Sequence, residues 1–400
     1  MPVYLDAIPD VAPNIKRPHI RRWLWLLVVI MVVGSGLTFW FWREAREGLI
    51  FWFMALGVPF CLWGLLFGIR RFGYKCDQVW AASWDRERAQ LLEQETRRGQ
   101  RFAWLLHAGV TTQLGSGADK LLNAVEAATA LAVQLPRQGS VPLRHARLAG
   151  FDDNRRVDDF ERAINTIASR LKPMLAEIPA DVPCWLLVNA EVAGIPDVDE
   201  RVLPILVSQT GRPCRRYRRQ GLAAFDRWLD EAWKTPAILV VVSAVVRATP
   251  QEGEGEAISY QLLLNRHHPG FPDAVRLHRP EKGSPASLAK ILDRALLWCH
   301  LPAAAVKGVW TTGQAVAQGG EWALACEENQ LALNRTEDNR DIDQTTGYTG
   351  IVAPWLAITL AATQAPLGGS QVVAAETGTD EIWIVGITTG DSTGIKRDLL

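Results

Sequence analysis

Two apolar runs stand near the N-terminus, at residues 23–42 and 49–69, and neither contains a charged residue. Each has about the 20 residues that a helix needs to cross the hydrocarbon core of a bilayer. The linker between them, residues 43–48, is so short that two such helices must run antiparallel. The pattern therefore predicts a two-helix transmembrane hairpin over residues 23–70.

Basic residues flank the hairpin on its open side, whereas the two arginines of the linker, Arg43 and Arg46, are offset by Glu44 and Glu47. The flanking residues are Lys16, Arg17, Arg21 and Arg22 before it, and Arg70, Arg71 and Lys75 after it. Because positive charge favours the cytoplasmic side, we expect a two-pass membrane protein with both termini cytoplasmic and residues 1–22 as a cytoplasmic tail. Spans without an ionisable residue are typical of an anchor rather than a channel or transporter. A second span follows at once, which argues against a cleaved signal peptide.

The remaining chain alternates between helical and strand patterns. Residues 71–100 predict a charged connecting helix, and residues 101–400 predict a cytoplasmic α/β domain that is clearest over 184–390. The β-branched run 237–246 predicts a central strand, and 222–234 predicts an amphipathic helix. Strands that alternate with helices of about 10–15 residues predict a mostly parallel sheet with helices on its faces.

The stretch 103–183 is less regular, and its pattern does not place it in the fold. A helix is predicted to begin near Ala118, with Ser116 or Asp119 as its cap; phosphate binding at this glycine-rich turn is the alternative. Residues 136–158 are rich in Pro, Gly, Arg and Asp and predict a surface connection.

Composition excludes several classes of function. Lys and Arg number 43, as do Asp and Glu, so no charge excess indicates nucleic acid. Six cysteines show no metal-ligand spacing, so we expect free thiols, no metal and no cofactor. The basic run 212–219 is expected to form a solvent-facing edge strand, or to bind anionic lipid headgroups or an acidic partner. The acidic stretch 327–343 predicts a solvated face, partly paired to Arg335 and Arg340.

Three motifs follow one another in the second half of the chain. They are GEGEAISYQLLLNR from Gly253, VKGVWTTG ending at Gly313, and TTGYTGIVAPWLAITLA from Thr345. Their order and spacing resemble the C-terminal half of the thiolase-like fold of β-ketoacyl synthases, over at most residues 184–390. The resemblance implies an α/β thiolase-like domain and a possible homodimer through it.

The chemistry that this resemblance implies is not matched. A condensing enzyme needs a thiolate at a helix N-terminus, and the family carries two histidines and a lysine nearby. The corresponding positions, a degenerate site, hold Gln220, Gly221, Thr311, Gly347 and Tyr348, and Asp343 stands near the place of the lysine. We therefore expect no catalytic residue and a fold kept for binding. The alternative is an acyl-binding or acyl-transferring enzyme with a non-standard site.

The chain as a whole also resembles a group of uncharacterised inner-membrane proteins encoded beside effector and spike genes of bacterial type VI secretion systems. The opening YLDAIPDVAPNIKRP, the two Trp-rich spans, LGSG and the GYTG segment carry this likeness. It implies an adaptor or chaperone that holds a secretion effector or spike component as its protein client, in contact with inner-membrane lipid and without nucleic acid.

Overall fold

The computed structural model describes residues 3–43, 48–152, 154–331, 339–378 and 381–390. Two compact units are formed, one of Tyr4–Thr96 and one that begins at Arg97. The linker residues 44–47, and residues 332–338 of the predicted acidic face, lie outside the described residues.

The α-helices are α1 (Ile20–Phe41), α2 (Leu49–Trp52), α3 (Val58–Gly99), α4 (Ala118–Glu126), α5 (Arg156–Glu177), α6 (Val198–Thr210), α7 (Gly221–Glu231), α8 (Leu288–Cys299), α9 (Gln314–Ala317), α10 (Gly320–Glu328), α11 (Asp343–Thr346) and α12 (Ala353–Gly368). The strands are β1 (Phe102–Thr112), β2 (Gly115–Ser116), β3 (Val133–Gln134), β4 (Leu143–Arg144), β5 (Cys184–Val192), β6 (Cys214–Arg216), β7 (Ile238–Val246), β8 (Ala257–Leu264), β9 (Val275–His278), β10 (Glu281–Gly283), β11 (Val306–Thr312), β12 (Asn339–Asp341), β13 (Ser370–Glu376) and β14 (Ile382–Thr389).

In the first unit, α1 packs against the helix that follows it. A π-helical turn, Phe53–Gly57, joins α2 to α3 just before Pro59. Proline has no N–H for the carbonyl four residues earlier, that of Ala55, and the Ser35 hydroxyl donates to this carbonyl instead, at 3.0 Å. A Cβ on Gly34 would stand 2.3 Å from the Pro59 ring, so the close approach of the two helices requires glycine there.

The N-terminal tail lies along the polar part of α3. The Trp84 indole N–H donates to the Asp10 carbonyl at 3.0 Å, and Arg88 Nε donates to the Pro9 carbonyl at 2.7 Å. Residues before α1 and residues beyond the second apolar run therefore lie side by side, as at the open end of a helical hairpin.

Three described helices are long and apolar enough to cross a membrane by length and composition. They are Ile20–Phe41, Leu49–Gly99 and Gly350–Gly368. The apolar part of the last is two thirds buried within the protein, so packing in the core accounts for its composition. The first two are exposed over most of their apolar length.

In the second unit, one sheet holds twelve of the described strands, in the order β12-β11-β13-β14-β9-β1-β8-β7-β5-β6, with β10 beside β14 and β2 beside β1. It consists of two half-sheets, one of β1, β5, β6, β7 and β8, and one of β9, β11, β12, β13 and β14. If the five strands of each half are counted along the chain, both halves have the order 3-2-4-5-1. The first strands of the two halves pair antiparallel, with Ala103 opposite Leu277. The second unit is therefore an internal repeat with pseudo-twofold topology.

The prediction of a mostly parallel sheet is wrong, because the sheet is mixed. Parallel pairing joins β5 to β6 and β7, and β11 to β12 and β13. The last strand of each half runs the other way, so β7–β8 and β13–β14 are antiparallel. An apolar run such as 237–246 shows that a strand is buried on both faces, but it does not record the direction of its neighbours.

Alternate side chains of β7 point into two separate cores. Val240 and Val242 pack with α5 and α6 on one face, and Leu239 and Val241 pack with α7 and α12 on the other. The outer face of the second half is covered by α8 and α10. The helices α7 and α12 thus share the apolar core that both half-sheets line.

The segment 136–158, predicted as a surface connection, is partly buried. Arg137 is about 1% exposed and makes a bidentate ion pair with Glu256, at 2.9 and 2.7 Å. Glu256 also accepts the Leu148 N–H at 2.8 Å. The sequence predicts a surface segment because Arg137 has no partner near it in the chain, whereas its partner, Glu256, stands directly before β8.

The helix that begins at Ala118 is confirmed, but its predicted cap is wrong. Gly117 is the N-cap residue, with φ of 129°, and no side chain caps the helix. Ser116 instead shares a hydrogen bond with the Thr111 hydroxyl at 2.9 Å, across the hairpin of β1 and β2.

Candidate functional site

A cavity of about 440 Å³ lies where α7 begins and where the chain leads into α12. Its described lining includes Glu191, Gln220, Gly221, Tyr348, Glu381 and Trp383. Three of the five residues predicted from sequence, Gln220, Gly221 and Tyr348, thus meet at one cavity. The described lining contains amide, phenol and carboxylate groups, and neither cysteine nor histidine.

A side chain of the sheet fixes the start of α7 by a hydrogen bond. Gly221 has φ of 64°, which favours glycine, and its N–H donates to the Asn189 side chain at 2.7 Å. Asn189 in turn donates to the buried Ser243 hydroxyl at 3.2 Å. Gln220 is extended and exposed at the cavity mouth. The first amide of the helix therefore has a fixed acceptor, and the residue that precedes it at the cavity carries a neutral amide side chain.

Tyr348 is fixed by its backbone to the first motif. Its N–H donates to the Gly253 carbonyl at 2.8 Å, and its carbonyl accepts the Gly255 N–H at 3.0 Å. The phenol donates to the Glu376 carbonyl at 3.2 Å. Burial, with the charge of Glu376 nearby, raises the pKa of Tyr348. The phenol is therefore neutral, and its one proton is donated to the Glu376 carbonyl.

Gly347 lies directly behind Tyr348, in contact with the GEG turn. A Cβ on Gly347 would stand 2.5 Å from the Glu254 carbonyl oxygen, and one on Gly255 would stand 1.9 Å from the Thr346 carbonyl oxygen. The two turns touch backbone to backbone, so both glycines are required for packing. The first and third motifs of the sequence thus form one structural feature.

Thr311 does not line the cavity. It is fully buried in β11 and lies 3.4 Å from the Arg340 carbonyl. The loop that follows it is held by Asp343, whose carboxylate accepts the Thr312 hydroxyl at 2.8 Å and the Gly313 N–H at 2.6 Å. Burial raises the pKa of Asp343 to about 7, although these two hydrogen bonds oppose the rise. The prediction of a solvated face is therefore wrong for Asp343.

The basic run divides into a buried arginine and an exposed group. The Arg212 guanidinium donates to four carbonyls, those of Leu175, Ile178, Pro179 and Val182. The strand β6 is the edge of the sheet, as expected, and Arg216 pairs with Asp199. Among the described residues, no carboxylate pairs with the exposed Arg215, Arg218 or Arg219. The last two directly precede Gln220 at the cavity.

A second cavity, of about 580 Å³, adjoins the first and shares Glu191 and Gln220 with it. It lies at the carboxyl ends of β5 and β7, where ligands bind in many α/β proteins. Arg247 lines it and pairs with Glu254 of the GEG turn at 3.2 Å.

Sequence reasoning missed Asn189, which positions the start of α7, and Ser243, whose hydroxyl accepts a hydrogen bond from Asn189. A signal was present for Asn189, since an amide stands within the apolar strand CWLLVNA. Ser243 follows the run of valines in β7 in the same way, and the register places the two residues opposite each other.

No protein-family model matches the chain, and no curated protein sequence matches it either. Solved structures of ketosynthases do match. The ketosynthase from module 1 of the bacillaene synthase of Bacillus amyloliquefaciens FZB42 has a TM-score of 0.53 and 7% identity, over 74% of this chain and 77% of that chain. An oxazolomycin ketosynthase domain of Streptomyces albus JA3453 has a TM-score of 0.53 and 9% identity, over 72% and 76%.

A third match is a structure of a type II acyl-carrier protein in complex with its ketosynthase bound to the hexaketide. Its TM-score is 0.54 and its identity 9%, over 73% of this chain and 100% of that chain. At such identities these likenesses show the fold alone. The second unit has a mixed α/β thiolase-like fold, related to that of the ketosynthases, which are enzymes, and the resemblance noted in the motifs is confirmed at the level of fold.

Proposed function

We propose that this chain is a membrane-anchored binding protein whose thiolase-like domain carries out no condensation. The observation that carries the proposal is the cavity at the start of α7, which is open but lined by Gln220 and Tyr348 where condensation requires a thiolate and an imidazole. A neutral amide and a neutral phenol hydrogen-bond a partner but do not attack a thioester.

The proposed anchor is the hairpin of α1 and the apolar part of Leu49–Gly99, inserted in a bacterial inner membrane with both flanks cytoplasmic. Support comes from the exposed apolar surface of these helices, from the basic flanks, and from the contact of the tail with α3 at Trp84 and Arg88. Cysteine-accessibility labelling in intact cells and in inverted vesicles tests this. Labelling of a cysteine placed at residue 14 from the outer side would contradict it.

The proposed client is a protein with an acidic surface, and from the resemblance of the opening segment we name a type VI secretion effector or spike component. Support comes from the exposed Arg218 and Arg219, which directly precede Gln220 at the cavity, and from the exposed Arg215 of the edge strand β6. We expect the full-length chain in detergent micelles to capture one such protein encoded beside it. Reversal of these three arginines to glutamate should abolish capture, whereas reversal of Arg144, Lys172 and Lys234 should not. Capture that survives the first reversal would exclude this surface.

Acyl binding is the second candidate function, favoured by the size of the cavity and by the likeness to a ketosynthase bound to a hexaketide. An acyl-CoA probe with a reactive acyl group tests it on the full-length chain. Saturable covalent labelling of one residue would overturn the non-condensing proposal. Reversible binding that is lost in Gln220→Trp, which fills the cavity mouth, would support a role in acyl binding.

A further inference from the structure

The first residues of β5 and β6 are both cysteines, and they stand opposite each other. Cys184 pairs with Cys214 in the parallel register, and the two Sγ atoms lie 2.9 Å apart. Neighbouring strands are separated by about 4.8 Å, which is within the range of Cα–Cα distances that disulfides span. The backbone therefore already holds both thiols where a sulfur–sulfur bond requires them.

The two thiols differ in access and in acidity. Cys184 is buried, whereas Cys214, on the edge strand, is half-buried. Hydrogen bonding with Cys184, together with the charge of Arg212, lowers the pKa of Cys214 against the effect of burial. The same hydrogen bond and burial raise the pKa of Cys184. Because the thiolate is the attacking species, Cys214 is the residue that reacts first with a reagent from solution.

We propose that Cys184 and Cys214 are a reversible dithiol–disulfide site, oxidised by a low-molecular-weight disulfide such as glutathione disulfide. The Cys214 thiolate attacks one sulfur of glutathione disulfide, which forms a mixed disulfide and releases one glutathione. Cys184 loses its proton to water and attacks the Cys214 sulfur, which releases the second glutathione. The two thiols lose two electrons and two protons, and glutathione disulfide gains them.

The bond would fix the strand that leads to the cavity. The strand β6 is short and, among the described strands, has a neighbour on one side only, β5. It continues through Tyr217, whose N–H donates to the Leu186 carbonyl at 2.7 Å, to Gln220 at the cavity mouth. A covalent link at its first residue would prevent β6 from separating from β5, and would hold the exposed Arg215 in place. This inference does not depend on the proposed function.

The test uses the full-length chain in detergent micelles, incubated with an excess of glutathione disulfide and then alkylated. We expect an intact mass lower by two hydrogen atoms and a peptide map that joins Cys184 to Cys214, reversed by dithiothreitol. Cys214→Ser should abolish the link, and Cys299→Ser, a buried cysteine elsewhere, should retain it. A stable glutathione adduct on Cys214, a link to another cysteine, or alkylation of both thiols would overturn the proposal.

A second measurement tests the fixing of β6 independently of the chemistry. Trypsin should cleave after Arg215 and Arg216 roughly tenfold more slowly in the oxidised chain, because a linked edge strand opens less often. Cleavage after Arg144 should not change, and Cys214→Ser should show no effect of the oxidant. Equal cleavage rates in a chain shown by mass to be linked would overturn the claim that the bond holds this strand.

Discussion

The helices α7 and α12 occupy matching places in the two halves of the repeat, but they are held by different forces. α12 has no charged residue and is buried over most of its length, with Trp355 and Leu360 fully enclosed. α7 is amphipathic, and its Asp226 and Asp230 both bind the buried Arg279, at 2.6 Å each. Identical topology therefore does not impose identical packing chemistry.

The charged attachment of α7 involves more than one arginine. Asp230 also accepts Arg98 at 2.6 Å and Arg101 at 2.8 Å, from the end of α3 and the residues after it. Burial alone would raise the pKa of Asp230, but hydrogen bonds from Arg98 and Arg279 hold it well below its ordinary value. One end of α7 is thus fixed by ion pairs, whereas its other end opens on the cavity. Both helices begin at the same cavity, but α7 is held at its far end by ion pairs and α12 by burial of apolar side chains.

The largest loss of unfolding free energy is expected from Arg279→Ala. The change leaves two carboxylates partly buried without their shared cation, which should cost about 3–5 kcal/mol of unfolding free energy. Urea unfolding of the full-length chain in micelles, followed by circular dichroism, measures this. Arg227→Ala removes an exposed arginine from the same helix and should change little. Equal losses in the two variants would show that the charged attachment of α7 is unimportant.

A smaller loss is expected from Leu360→Ala in α12. The side chain is fully buried, so its truncation should cost about 2–4 kcal/mol through lost burial and the cavity left behind. Leu367, near the end of the same helix, is 88% exposed, and Leu367→Ala should have little effect. The same urea titration applies. If Leu367→Ala cost as much unfolding free energy as Leu360→Ala, burial of apolar side chains would not be what holds α12, and the contrast between the helices would fail.

Asp343, which precedes α12, predicts a pH dependence. The folded chain holds its proton up to a pKa of about 7, whereas the ordinary value is 3.8. Between these pH values the folded state binds more protons than the unfolded state, so stability is highest near pH 4 and falls as pH rises toward 7. Asp343→Asn should flatten this slope and raise stability at pH 8 by about 1–3 kcal/mol. Asp119→Asn, at an exposed position of α4, serves as the control; a slope unchanged in Asp343→Asn would contradict the prediction.

The smallest loss of unfolding free energy is expected from Tyr348→Phe. The variant loses the hydrogen bond to the Glu376 carbonyl, which should cost about 1 kcal/mol while the backbone contacts of the turn persist. Thermal unfolding detects such a change, and binding of a client or acyl probe reports whether the phenol contacts it. A loss as large as that of Leu360→Ala would mean that the turn itself had been disrupted.

Much of the second unit could be predicted from its apolar patterns. The strand predicted over 237–246 is β7, and the helix predicted over 222–234 is α7, ending three residues earlier than expected. From the resemblance of the three motifs, Gln220, Gly221 and Tyr348 were predicted to belong to one site, and all three line the same cavity. The resemblance placed Thr311 wrongly, because a residue at the end of a strand faces either side of the sheet and a shift of one position exchanges the two sides.

The rest could not be predicted because it depends on partners distant in sequence. The sequence predicts that Arg137 is exposed, because its partner Glu256 is more than 100 residues away. It predicts that Asp343 is solvated, because the Thr312 hydroxyl that donates to its carboxylate is also distant in sequence. The amide of Asn189 stands out within an apolar strand, but its partner, the Gly221 N–H, is known only from the folded chain. In each case the energy of a buried polar group is set by its partner, and no local pattern names that partner.

The sequence by itself determined the two apolar helices, the alternation of helices and strands, and the absence of a thiol at the start of α7. These follow from local periodicity and from residue identity. Only the tertiary structure decided the mixed direction of the sheet, the repeat of the order 3-2-4-5-1, the meeting of the GEG and GYTG turns, and the contact of Cys184 with Cys214. Strand direction and long-range pairing are properties of the packed chain, because they arise from contacts between residues that the sequence keeps far apart.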